Sequence, residues 1–177
     1  MKKGLLFTAA VIGLVGLIYA WVWVEVYQTS QFYYEMATDN YRKGDYGAAL
    51  KGVETENANG ETAFLGGYQQ VIDAWDQPYA WPRPSFVEDA RGMVDQIINE
   101  KLTIAEGEAL FQAYFNRDNR YLGRIMLRVG ELYEQQQDVD AAIETYEVVR
   151  QAFANDDGLI KTASQRLSAL KKQEENR

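Results

Sequence analysis

The side chains that could do chemistry in this chain of 177 residues are mostly carboxylates and phenols. The chain has 26 acidic residues and 12 tyrosines, but neither histidine nor cysteine. Thiol chemistry, disulfides, histidine-dependent triads and the common zinc and copper sites are therefore excluded. Acid–base catalysis would depend on Asp, Glu or Tyr alone, so any active site would have to consist of such groups at a recognisable spacing.

No such spacing is present. The pair Gly66-Gly67 is followed by Tyr and Gln and lacks the lysine of a phosphate-binding loop. The run Asn155-Asp156-Asp157-Gly158 lacks the alternating ligands and the terminal Glu of a calcium loop, and we interpret it as a turn. Asp138 and Asp140 lie at an expected helix start, where acidic residues stabilise the helix dipole. We therefore predict that the protein is not an enzyme and uses no cofactor or metal.

The overall charge also limits the partners. The net charge is −8 and the isoelectric point about 4.7. A nucleic-acid backbone would be repelled, so we expect no nucleic-acid partner. Protein partners and a membrane remain compatible with this charge.

A membrane is indicated by the uncharged stretch Gly4–Val24, which also lacks proline. As a helix it would be roughly 30 Å long, the thickness of a bilayer's hydrocarbon core. Lys2 and Lys3 precede it, whereas the first basic residue beyond it is Arg42. Because basic flanks stay in the cytoplasm, we predict residues 1–27 to be an anchor of the inner membrane and residues 28–177 a periplasmic domain.

A cleavable signal peptide is the alternative for this stretch. Ile18-Tyr19-Ala20 is a poor cleavage site, and the apolar run is longer than a signal core, so an uncleaved anchor is favoured. Small residues recur on one face of the span, at Ala9, Gly13, Gly16 and Ala20. Such a row lets a second transmembrane helix approach closely, either from a partner or from a second copy, although Gly and Ala are common in spans.

Two segments resemble the tetratricopeptide repeat, a helix–turn–helix unit. In the first, the matching residues are Tyr33, Ala37, Gly44-Asp45-Tyr46 and Ala49, whereas Asn40 and Glu56 depart from the pattern. In the second, they are Val129-Gly130, Tyr133, Ala142-Ile143 and Tyr146, with Gln137 in place of the usual turn glycine. Equivalent positions lie 93 residues apart, which is not a multiple of the family's period of about 34. Residues 61–118 are therefore either degenerate repeats or an insertion.

The rest of the chain is also expected to be helical. We predict a turn at residues 57–60, a helix from Phe64 to Trp75, and helices opened by capping boxes at Ser85 and Thr103. Between them, residues 76–85 contain all three prolines and form an irregular loop. The rings of Tyr79 and Trp81 in this loop either fold back onto the core, which we favour, or form a recognition surface.

The fold class is thus predicted to be all-α, a transmembrane helix followed by an α-solenoid of helical hairpins. The resemblance implies ligand contacts from the first helix of each hairpin. The candidates are Tyr34, Thr38, Tyr41 and Arg42, then Arg124, Glu131 and Glu134. We expect a scaffold that binds other membrane subunits. The alternative is a tethered periplasmic chaperone beside the secretion translocon.

Overall fold

The fold is all-α in the part of the chain that the computed structural model describes, residues 2–56, 60 and 62–175. The predicted all-α class is confirmed, and one short strand pair is added. In chain order the elements are α1 (Lys2–Lys43), α2 (Tyr46–Lys51), β1 (Val53–Glu56), β2 (Thr62–Leu65), α3 (Tyr68–Trp75), α4 (Ser85–Gln96), a π-helical turn (Ile97–Lys101), α5 (Ile104–Tyr114), α6 (Leu122–Gln135), α7 (Val139–Ala152) and α8 (Asp157–Glu175). Contacts divide the chain into two compact units, Met1–Asp95 and Gln96–Arg177.

Helix α1 is a single rod of 42 residues. It runs without a break through residues 27 and 28, the predicted boundary between anchor and domain. Neither glycine nor proline interrupts the sequence between Gly16 and Gly44, which explains the continuity. The helix ends at Lys43 because Gly44 adopts a positive φ of 80°. One helix long and apolar enough to cross a membrane is therefore present at the N-terminus.

The first hairpin is shorter than its sequence suggests. Asp45 caps α2 by accepting a hydrogen bond from the Ala48 N–H, as expected of Asp before a helix. The helix then stops after six residues at Gly52, whose φ is 89°. A Cβ at Gly52 would lie 2.6 Å from the Leu65 carbonyl oxygen, so only glycine lets the chain turn here against β2.

Strands β1 and β2 pair antiparallel, with Val53 opposite Leu65 and Glu56 opposite Thr62. The helix predicted from Phe64 is therefore wrong in its first residues, since α3 begins only at Tyr68. Gly66 has a positive φ of 81°, which ends the strand and prevents a helix from including it. The turn predicted at 57–60 lies outside the described residues except for Gly60, which also has a positive φ.

Helix α3 packs along α1, and aromatic side chains fill the contact. Trp75 is buried, and its indole N–H donates to the Ser30 hydroxyl at 3.0 Å. Trp23 meets Trp75 edge to face, and Tyr27 meets Phe86 of α4 in the same way. These rings hold α3 and the start of α4 against the C-terminal half of α1.

The second unit is a stack of α5, α6, α7 and α8. The predicted capping box of Thr103 and Glu106 opens α5. The core lies where α6, α7 and α8 meet and consists mainly of Met126, Val129, Ala142, Tyr146, Val149, Ala163, Leu167 and Leu170. The apolar spacing of Ile160, Ala163, Leu167 and Leu170 in the last helix predicts one inward face. Ala163, Leu167 and Leu170 are buried there, and Ile160 is half-buried.

The turns of the two hairpins have the same local geometry, 93 residues apart. Gln137 replaces Gly44 and adopts the same left-handed conformation, with φ of 63° against 80°. Asp138 then caps α7 through the Ala141 N–H, as Asp45 caps α2 through Ala48. The second turn is thus made without glycine, at the cost of backbone strain in Gln137.

Candidate protein-binding groove

An open groove of about 250 Å³ lies between α5, α6 and α7 of the second unit. Its lining mixes apolar and acidic side chains: Glu108, Phe111, Gln112, Met126, Tyr133, Ala141, Glu144, Thr145 and Val148. Val148 is an exposed large apolar residue, and the two carboxylates are the only charged groups of the lining. This combination suits an apolar side chain of a ligand with a basic group beside it.

One wall of the groove is held by a hydrogen bond between helices. The Tyr133 hydroxyl on α6 donates to Glu108 Oε1 on α5 at 2.6 Å. Because the phenol donates to a carboxylate, this bond raises the pKa of Tyr133 to about 12. The bond ties Glu108, which lines the groove, to α6.

Helices α6 and α7 approach closely because one of the facing residues is glycine. A Cβ on Gly130 would lie 2.5 Å from the Tyr146 ring, and Ala142 is fully buried nearby. The Tyr146 hydroxyl donates to Glu134. Burial is the main cause that raises the pKa of Tyr146, and this hydrogen bond is the second. The small residues named by the repeat resemblance thus set the distance between the two helices.

Two predicted contact residues of the second hairpin are engaged elsewhere. Glu131 pairs with Arg166 of α8 at 3.1 Å and with Arg128 at 3.2 Å. Glu134 lies 3.7 Å from Arg166 and accepts the Tyr146 hydroxyl. Both carboxylates therefore join α6 to α8 instead of lining the groove. Arg124, the third candidate, lies over the Tyr121 ring at 5.9 Å.

The candidates of the first hairpin are also partly used in packing. The Tyr34 ring contacts the rings of Tyr68 and Phe86. The Thr38 hydroxyl donates to the Tyr34 carbonyl at 2.7 Å and lies 3.1 Å from the Tyr68 hydroxyl. Tyr41 packs on Tyr46. Arg42 is the most exposed of the four, with Asp39 at 3.7 Å.

The small-residue face of the span is open in the structure. Ala9, Gly13, Gly16 and Ala20 lie on the exposed part of α1. No heavy atom outside the helix lies within 4 Å of the position that a Cβ would take at Gly13 or Gly16. The face is accessible to a second helix in a membrane.

The proline loop, residues 76–84, contacts α1 through its backbone. The Tyr19 hydroxyl lies 2.8 Å from the Tyr79 carbonyl oxygen and 2.5 Å from that of Trp81. The Trp23 indole N–H donates to the Pro82 carbonyl at 3.0 Å. The rings of Tyr79 and Trp81 are 72% and 74% exposed, so the favoured expectation that they pack onto the core is wrong. The loop thus contacts α1 through its carbonyls, and both aromatic side chains stay largely exposed.

Sequence reasoning missed the residues that act across long separations. Tyr19 and Trp23 were assigned to the span, yet they bind a loop about 60 residues away. Glu108 and Arg166 belong to ordinary charged helix faces, and no local pattern marks them. A polar aromatic pair inside an apolar span, followed later by a proline-rich loop, is the one signal that could have suggested the first contact.

Within the described residues, no three carboxylates converge on a position that could hold a metal ion. No protein-family model matches the chain, and no curated protein or solved structure is significantly similar to it.

Proposed function

We propose that this protein is a membrane-anchored scaffold that binds other proteins, as an accessory or assembly subunit of an inner-membrane complex. The observation that carries the proposal is the open groove of the second unit, whose lining combines apolar residues with two carboxylates. It supports binding of an exposed segment from a partner, one apolar side chain filling the groove and a basic side chain pairing with Glu108 or Glu144.

The anchor and its orientation belong to the same proposal. The uncovered apolar part of α1 supports insertion in a bilayer, and the basic residues before it support a periplasmic position for the rest of the chain. The open small-residue face supports contact with a partner's transmembrane helix or with a second copy of the span. The matching turns of the two hairpins support the tetratricopeptide-like interpretation of the helical pairs.

The groove is tested by placing a positive charge in it. Val148→Arg changes an exposed residue, so the fold should persist, but the larger charged side chain would fill the apolar site. Gln151→Arg is the matched control, because it puts the same side chain on an exposed position of α7 outside the groove lining. Each tagged variant is extracted in mild detergent and analysed by native mass spectrometry.

We expect the wild type and Gln151→Arg to retain a partner in fixed ratio and Val148→Arg to lose it. Retention of the partner by Val148→Arg would show that the groove is not the binding site. A wild-type protein with no constant companion, cross-linked instead to many unfolded clients, would favour the tethered chaperone.

A further inference from the structure

The proline loop and the apolar helix that it contacts point to a second membrane contact. We propose that residues 76–84 lie in the headgroup region of the outer leaflet, with the Tyr79 and Trp81 rings among the lipids. The inference rests on the proposed anchoring of α1. It goes beyond that anchoring, because it assigns a lipid-binding surface to a loop distant in sequence from the span.

The length of the apolar helix that precedes the loop contact supplies the first argument. The loop contacts α1 at the level of Tyr19 to Trp23. Between Gly4 and Ile18 the helix offers only about 22 Å at 1.5 Å per residue, whereas the hydrocarbon core is about 30 Å thick. The span therefore fills the core only if the bilayer reaches the level of the loop.

The position of the first charge beyond the span leads to the same depth. Glu25 follows Tyr19 by six residues, which corresponds to about 9 Å along the helix axis. A carboxylate avoids the hydrocarbon core and lies at or outside its boundary. Tyr19 therefore lies no deeper than about 9 Å inside that boundary, which excludes the middle of the bilayer for the loop that it contacts.

The backbone of the loop suits such a place. In a membrane, irregular backbone is tolerated only where its polar groups have partners. Pro78, Pro82 and Pro84 have no N–H, and the Ala80 and Trp81 N–H groups bond within the loop. The carbonyls of Tyr79, Trp81 and Pro82 receive the donors of Tyr19 and Trp23. The Tyr19 hydroxyl has one proton, so it donates to one of its two carbonyls at a time. Its oxygen is also an acceptor for the Trp81 N–H, at 3.4 Å.

The exposed side chains of the loop match an interface. Tyr and Trp concentrate at the headgroup level, where an apolar ring meets lipid and a polar edge meets water. Tyr79 and Trp81 are exposed at the level of α1 where Trp21 is also 75% exposed. Arg83, exposed in the same loop, supplies a positive charge for a lipid phosphate. Asp76, the loop's only acidic residue, forms an ion pair with Arg91.

Depth can be measured cleanly because the chain has no cysteine. Trp81→Cys places an environment-sensitive fluorophore in the loop, Trp21→Cys places it on the span, and Gly92→Cys places it on the exposed face of α4. Each labelled full-length protein is reconstituted in vesicles of phosphatidylcholine and phosphatidylglycerol. Quenching by aqueous iodide is then compared with quenching by lipids that carry a nitroxide at the headgroup or deep in the acyl chain.

We expect the Trp81 and Trp21 probes to be protected from iodide and the Gly92 probe to be quenched, with the Trp81 probe quenched most by the headgroup nitroxide. A Trp81 probe that behaves like the Gly92 probe, beside a protected Trp21 probe, would overturn the loop proposal and leave the anchor standing. Iodide quenching at Trp21 as well would overturn the anchor itself. Protection of Trp81 in native membranes but not in vesicles would assign the loop to a partner protein.

The role of the two donors is tested separately. Tyr19→Phe combined with Trp23→Phe removes both hydrogen-bond donors and leaves an aromatic ring at each position. Iodide quenching of the Trp81 probe should then increase, while quenching of the Trp21 probe should stay unchanged. An unchanged Trp81 probe in this double variant would show that the α1 donors do not position the loop.

Discussion

At the scale of single residues, Gly130 shows how one missing methyl group determines helix packing. Its place in α6 faces the Tyr146 ring, and the two helices could not approach as closely with a larger residue. The repeat resemblance names this position, and the contact with the Tyr146 ring gives the physical reason for it.

Gly130→Ala should lower the free energy of unfolding of the second unit by about 1–3 kcal/mol, because the added Cβ meets the Tyr146 ring. Urea unfolding followed by circular dichroism measures the change. The matched control is Gly92→Ala, at a helical position with open space around it. It should raise stability by about 0.4–1 kcal/mol. An equal effect of the two substitutions would contradict the packing argument.

The bond from Tyr133 to Glu108 predicts a dependence of stability on alkaline pH. The folded pKa of Tyr133 is about 12, above the ordinary value of 10.0. The folded state therefore holds this proton more tightly, and its stabilising contribution is complete below about pH 10 and lost as the pH rises through about 12.

Between about pH 9 and about pH 11, the free energy of unfolding should therefore fall less in Tyr133→Phe than in the wild type. Urea unfolding at the two pH values measures this fall. The variant removes the titrating group and leaves the lysines, so the difference between the two proteins isolates Tyr133. Glu108→Gln removes the carboxylate that raises the pKa of Tyr133. The free energy of unfolding of this variant should also fall less with rising pH than that of the wild type. An identical slope in wild type and Tyr133→Phe would show that the bond does not persist in solution.

At the scale of elements, helix ends were predictable where a local side chain caps them. Asp45, Thr103 and Asp138 all accept from the backbone as their positions predict. The end of α2 and the strand pair were not predictable, because Gly52 acts through a close approach of Leu65 in β2 and no local pattern marks that contact. Apolar spacing from Phe64 onward fits a helix equally well, and only the pairing with β1 decides against it.

The turn between α6 and α7 allows a prediction at this scale. Gln137 holds a left-handed conformation that costs a non-glycine residue about 1–2 kcal/mol. Gln137→Gly should therefore stabilise the second hairpin by roughly 1 kcal/mol after the added entropy of the unfolded chain is subtracted. Gln136→Gly is the control: its φ of −81° suits any residue, so this change should destabilise. Thermal unfolding of both variants would measure the two shifts, and a loss in Gln137→Gly would contradict the argument.

At the scale of the whole molecule, the proposed topology predicts which surfaces a reagent reaches. The Arg42 side chain is exposed near the end of α1, and in the proposed orientation it faces the periplasm. Arg42→Cys should react with a membrane-impermeant maleimide in spheroplasts. Lys3→Cys should react only after the membrane is permeabilised. The reverse pattern would invert the orientation, and labelling of both without permeabilisation would contradict a span.

What the sequence alone determined were the features that depend on neighbours along the chain. These are the apolar length of the N-terminal helix, its continuity to Gly44, the capped helix starts and the all-α class, because periodicity and capping are local. The tertiary structure alone decided which side chains are engaged in contacts within the chain. Glu131 and Glu134 pair with Arg166, Tyr34 and Thr38 pack on Tyr68, and the proline loop contacts Tyr19 and Trp23. Such partners lie some 30 to 60 residues apart, and only the folded chain brings them together.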